Sequence, residues 1–152
     1  MTFEERAAAQ QPPSGFRPIT GLDGFIADNG PVFARLEDDG AVTFGCRIMA
    51  HMCNPMGIAH GGWVATLFDV ALPLTGRLTD PQLGDRFMIT VTLSIDYLQS
   101  PKLGEWTELR GRMLKRTKRM VFVEALMQAG GDLTARGSGV FRIGPQAPPL
   151  AY

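Results

Sequence analysis

The chain has 152 residues, with 15 basic and 15 acidic side chains, 2 histidines and 2 cysteines. That length suits one domain that buries about two thirds of the surface its unfolded form exposes, and the zero net charge leaves no global field to draw it onto nucleic acid or an anionic membrane. No apolar run approaches the roughly twenty residues that cross a bilayer, the start MTFEERAAAQQPPSG lacks the basic lead and apolar core of a signal peptide, and Cys46 and Cys53 lack a CxxC spacing, so a cytoplasmic protein with reduced thiols is expected.

Thr2-Phe3-Glu4-Glu5 has the form of a capping box and leads into RAAAQ, which predicts a short, loosely held helix ended by Pro12 and Pro13. The stretch GPVFARLEDDGAVTFGCRIM reads as a hairpin turning at Asp38-Asp39-Gly40, because Asp-Gly supplies the positive backbone angles of a tight turn. GIAHGGWVATLFDVALPLTGRL is apolar on most sides, with Ala65, Leu67, Phe68, Ala71 and Leu72 recurring at helical spacing. It predicts a buried helix that starts near His60 to Gly62 and is kinked or loosened at Pro73. FMITVTLSIDYLQSP alternates, placing Ile89, Val91, Leu93, Ile95 and Tyr97 on one face of a strand and Thr90, Thr92, Ser94 and Asp96 on the other. WTELRGRMLKRT, RMVFVEALMQA and LTARGSGVFRIG follow as strands with a turn at Gly130-Gly131-Asp132, and PQAPPLAY is an irregular tail. Short turns between strands imply antiparallel neighbours, so the expected class is α+β: five or six antiparallel strands wrapped on one long helix, in a single domain over residues 1–152 with a leading helix and loop over 1–19 and the tail over 144–152.

NPMGIAHGGWVATLFD, followed by ITVTLSIDYLQSPKLGE and ARGSGVFRI, resembles the hotdog-fold acyl-CoA thioesterases, specifically the phenylacetyl-CoA thioesterase (PaaI-like) branch, over about residues 20–143. The resemblance implies a central helix wrapped by an antiparallel sheet. It also implies subunits pairing sheets edge to edge as a homodimer or a dimer of dimers, and active sites at the dimer interface. The substrate is then an acyl-CoA, with coenzyme A present only as part of it and no separate cofactor.

Thioester hydrolysis needs a polarised carbonyl and a base or nucleophile; the thiol, with a pKa of about 8.5, departs with little help. Gly61 and Gly62 fall at the helix start, where the first amides lack internal partners and carry the positive end of the dipole, so their N–H groups can face an oxyanion. By the resemblance, Gly61 has that role. Asp69 lies about two turns further on in an apolar run, where a carboxylate is costly unless paired or used. The resemblance makes it the general base or nucleophile, and the alternative is an aspartate bonded to a neighbouring strand. It likewise assigns Asn54 to the substrate carbonyl or the attacking water and Thr90 to orienting the nucleophile or water; each has a plain alternative, a loop asparagine and a strand threonine. His60 is read as fixing the loop that positions Gly61, and His51 as ending the preceding strand. No metal is expected, because the spacing of His51, Cys53, His60 and Asp69 fits no zinc pattern.

A neutral protein must hold the phosphates of coenzyme A with a local basic cluster. KRTKR, with Lys115, Arg116, Lys118 and Arg119, is the densest candidate, and Arg77 and Arg86 bracket the loop after the helix. Met52, Met56, Trp63, Leu67 and Phe68 are candidates for the acyl pocket or for ordinary core. Aspartate rather than glutamate in the helix favours the aspartate-using branch, and no acid–base pair of a hydratase is present. The competing reading is a non-catalytic module that binds or senses acyl-CoA.

Overall fold

The element that organises the molecule is the helix α3, Gly61–Thr79. The computed structural model, which describes residues 1–152, sets it against an antiparallel sheet. The strands are β1 (Arg17–Pro18), β2 (Phe33–Leu36), β3 (Val42–Arg47), β4 (Arg86–Tyr97), β5 (Trp106–Arg116), β6 (Met120–Ala129) and β7 (Asp132–Gln146), with α1 (Phe3–Ala9) and α2 (Phe25–Asn29) near the N-terminus. Sheet order is β1-β2-β3-β5-β6-β7-β4, so β4 is a twelve-residue edge strand bonded only to β7. This is the hotdog arrangement, with seven strands rather than the expected five or six. The extra strand is β1, whose two residues, one of them Pro18, are too short to show any alternation.

Trp63, Val64, Leu67, Phe68, Ala71 and Leu72 of α3 are buried in a core of 26 residues that draws on β2 to β7. The sheet admits the helix closely because β7 carries glycine where it passes: a Cβ on Gly137 would lie 2.8 Å from the Phe68 ring, a distance no packed interior accommodates. Pro73 does not break α3, which continues to Thr79. The hydroxyls of Thr75 and Thr79 donate to the carbonyls of Ala71 and Thr75 in that last stretch.

The leading helix is firmly held rather than loose. Gln10 is 0% exposed, its side-chain oxygen accepts from Arg47 N, and the Arg47 guanidinium donates to the carbonyls of Gln10, Gln11 and Gly104. One arginine on β3 thus satisfies the end of α1, a contact between distant segments that local sequence does not report. At the other end, β7 extends to Gln146 and Ala151 bridges to Thr20, so the tail is less irregular than its prolines suggest. No helix is long and apolar enough to cross a membrane.

Candidate active site

The N-terminus of α3 is reached through a loop that folds back on itself. Asn54 N donates to Ile58 O, Gly57 N to Asn54 O, and His60 N to Met52 O. Asn54 Oδ1 accepts from Met56 N at 2.9 Å, an Asx turn that shapes the loop. One acceptor site of the Asn54 side-chain oxygen is therefore engaged in backbone, while its amide NH2 group has no partner in the chain.

His60 is the N-cap of α3, its Nδ1 accepting from Gly62 N at 2.9 Å. Trp63 N and Val64 N both donate to His60 O. Of the first four amides of the helix, that of Gly61 alone has no acceptor in the chain, and it stands at the positive end of a nineteen-residue helix. The expectation for Gly62 is corrected on this point: its N–H is taken by the histidine cap. A Cβ on Gly62 would stand 3.0 Å from His60 Nδ1, whereas a Cβ on Gly61 would come no nearer than 3.6 Å to its neighbour, the Tyr97 ring. The two glycines thus have different neighbours, one admitting the histidine cap and the other the Tyr97 side chain.

Asp69 lies on the flank of α3 that faces the edge strand β4, and it is exposed in the protomer. Thr90 Oγ1 donates to Asp69 Oδ1 at 2.6 Å, which orients the carboxylate and leaves Oδ2 free. The contact needs Thr90 on the helix side of β4, where simple alternation does not put it. A register shift between Thr90 and Thr92 makes Val91 a bulge residue, and the bulge changes which face follows. Before it Met88 and Thr90 point to the helix; after it Leu93 and Ile95 pack on the core and Tyr97 touches Gly61. The predicted split of β4 into two clean faces is corrected accordingly. Tyr97, which sequence reasoning left without a role, donates its hydroxyl to Gly61 O at 2.8 Å; its phenol at the start of the YLQSP stretch was the available signal.

Gly61 and Asp69 are separated by eight residues of α-helix, about 12 Å along the axis and about 80° around it. A group attacking a carbonyl and a donor to its oxygen each lie about 3 Å from it. The two groups of one protomer are therefore too far apart for both to touch one carbonyl directly.

The other candidates fall elsewhere. Arg116 donates to Asp80 Oδ2 at 2.6 Å and to Gln82 Oε1 at 2.5 Å, beside the C-terminal end of α3, about 28 Å by helix rise from Gly61. The KRTKR segment is thus remote from Gly61 of its own protomer, and Arg116 is committed to the helix end. Lys115, Lys118 and Arg119 are exposed and form no ion pair. Arg77 pairs with Asp85, and Arg86 donates to Gly144 O. Met52, Trp63, Leu67 and Phe68 are core, at 2%, 7%, 1% and 0% exposure, while Met56 is 82% exposed on the loop before the helix. His51 lies in the 3-10 turn Ala50–Met52 and contacts Asn29 O at 3.1 Å through Nε2. It does not gather with Cys53, His60 and Asp69 into a metal-holding group.

Cys46 is 0% exposed beneath this region, and burial pushes its thiol up to about 11, with the Thr107 hydroxyl opposing the shift in part. At pH 8 a thiol reagent is expected to titrate only Cys53 in the native protein and both cysteines in urea. Because the folded value lies above the ordinary one of 9.0, the stability that this group contributes is whole below pH 9. It is lost as the pH rises from there toward 11, which denaturation midpoints across that range will report.

Residues 56–136 match the thioesterase superfamily. A protein of Pseudomonas aeruginosa named as a candidate esterase, PA0474, is 34% identical over 133 residues, which span 86% of this chain and 96% of that protein. Among solved structures, smu.793 of Streptococcus mutans UA159 bound to acetyl CoA superposes with a TM-score of 0.67 at 21% identity, covering 85% of this chain and 98% of that one. A point mutant of the phenylacetic acid degradation protein PaaI from Thermus thermophilus gives 0.66 at 21% identity, over 80% of this chain and 99% of that one. With a long helix wrapped by an antiparallel sheet, and with the superfamily match running from the loop before that helix into the last strand, the chain belongs to the thioesterase superfamily and is a hotdog-fold thioester hydrolase.

Proposed function

We propose that the chain is an acyl-CoA thioesterase of the PaaI-like branch, a single hotdog domain that works as a homodimer or a dimer of dimers in the cytoplasm and hydrolyses an aryl- or medium-chain acyl-CoA to free acid and coenzyme A. The observation that carries the reading is the Gly61 amide: an unbonded N–H at the positive end of α3, on an exposed glycine whose Cα faces the Tyr97 ring. The likeness to a structure holding acetyl CoA, and to PaaI, supports the substrate class and the branch.

In this mechanism the thioester oxygen accepts from Gly61 N–H. Asp69 of the partner subunit, held through Oδ1 by Thr90, takes a proton from water through Oδ2. The resulting hydroxide attacks the carbonyl carbon, and the oxyanion that forms is stabilised by the Gly61 amide and the helix dipole. Collapse breaks the C–S bond, and the thiolate leaves without needing a strong acid. The free NH2 of Asn54 and the exposed Met56 flank the acyl end, and Lys115, Lys118 and Arg119 supply cations for the phosphates. The unpaired β4 edge, with Phe87 and Val91 each more than half exposed, is the surface through which two copies would join their sheets.

The test is free-thiol release from a panel of acyl-CoAs by the native protein and by Asp69→Ala. Turnover of an aryl or medium-chain substrate, with a loss of at least about a hundredfold in the variant, is expected for a positioned base. Binding without thiol release favours the sensing module instead, and an active Asp69→Ala removes the aspartate from the mechanism.

A further inference from the structure

We propose that Tyr97 is a positioning residue for the oxyanion donor: its phenol and the His60 ring hold one peptide unit from both ends and so fix the Gly61 amide that precedes it. The inference rests on the reading of Gly61 as that donor. The peptide unit joining Gly61 to Gly62 has its carbonyl accepting from Tyr97 Oη–H at 2.8 Å and its N–H donating to His60 Nδ1 at 2.9 Å. Two successive glycines give the start of a helix unusual backbone freedom, and the first N–H groups there have no partner within the helix ladder. With both polar ends of the following peptide held, rotation about the Gly61 Cα bonds is restrained. The free N–H then keeps its aim before substrate arrives, which is the condition under which a donor stabilises developing charge without reorganising.

The two grips come from different parts of the fold. His60 belongs to the loop before α3, and Tyr97 to the far end of β4. Tyr97 stands seven residues after Thr90, an odd separation that in a regular strand puts the two on opposite faces. The bulge at Val91 brings both to α3, Thr90 onto Asp69 and Tyr97 onto Gly61. One edge strand thereby sets the aim of the carboxylate and of the oxyanion donor of its own protomer. The Tyr97 ring is 54% exposed, and its hydroxyl has no other partner in the chain, so removal of the oxygen deletes the grip and little else.

The experiment compares native protein with Tyr97→Phe and Gly61→Ala in acyl-CoA hydrolysis, with melting temperatures and the Gly61 amide resonance of 15N-glycine-labelled protein measured alongside. Tyr97→Phe is expected to lower kcat about tenfold with KM within about twofold, as for a donor left in place but loosened. Its melting temperature should be unchanged and its Gly61 amide resonance shifted and broadened. If Tyr97→Phe keeps the native kcat while Gly61→Ala is inactive, the proposal is overturned and the oxyanion reading stands. A change confined to KM overturns it too, because it makes Tyr97 a substrate contact. If the native protein hydrolyses no thioester, the oxyanion reading fails and the proposal fails with it.

Discussion

Gly61→Ala, which keeps the backbone N–H but adds a methyl beside it, is expected to fold at least as stably as the native protein and to lose about 10² in kcat, the cost of displacing a reacting group by about 1 Å. The opposite signs follow from the position. Gly61 is not among the glycines with positive φ, so alanine adopts its conformation without strain, and the added Cβ would come no nearer than 3.6 Å to its neighbour, the Tyr97 ring, which is ordinary contact. In helix interiors alanine is favoured over glycine by up to about 1 kcal/mol, and the first turn keeps part of that gain. The methyl fills the gap between Gly61 and the Tyr97 ring, and a thioester carbonyl displaced by it loses the short contact on which the oxyanion depends. Gly62→Ala is the informative contrast. Its Cβ would crowd His60 Nδ1 at 3.0 Å, so it disturbs the N-cap and lowers stability by about 1 kcal/mol. Thermal melts and steady-state kinetics on the two variants separate the roles. A fully active Gly61→Ala would show that no substrate group packs against the Gly61 Cα.

The sequence disclosed the elements whose signal is periodic and local. The recurrence of Ala65, Leu67, Phe68, Ala71 and Leu72 with a helix start near His60 to Gly62, the hairpin turn at Asp38-Asp39-Gly40 and the turn at Gly130-Gly131-Asp132 stand where the pattern predicts them. It hid what depends on one residue more or on a distant partner. Val91 continues the apolar alternation of β4 so smoothly that nothing marks it as the extra residue of a bulge, yet that residue decides whether Thr90 reaches Asp69. Histidine is outside the usual set of N-caps, so the capture of Gly62 N–H by His60 was not legible. Nor was the diversion of Arg116 to Asp80, because charge density in KRTKR says nothing of a partner 36 residues away. The strapping of α1 by Arg47 has the same cause.

Mixing two inactive variants, Gly61→Ala and Asp69→Ala, is expected to restore about a quarter of native activity after subunits are exchanged. The reason lies in the spacing along α3. If Gly61 and Asp69 of one chain are about 12 Å apart on a rigid helix, each active site must take its oxyanion donor from one protomer and its base from the other. In a mixed dimer one site then receives both altered residues and is dead, while the other receives intact Gly61 from the Asp69→Ala chain and intact Asp69 from the Gly61→Ala chain. Random reassortment makes about half the dimers mixed, each with one working site of two, which gives the quarter. A site built within one chain predicts no recovery at any mixing ratio, because every protomer carries a lesion. Differently tagged chains, unfolded together, refolded and purified through both tags, sharpen the contrast to about half of native activity per dimer. Recovery at that level would establish both the dimer and the sharing of its sites, and an inactive mixed dimer of native mass would show that α3 does not divide its chemistry between two subunits.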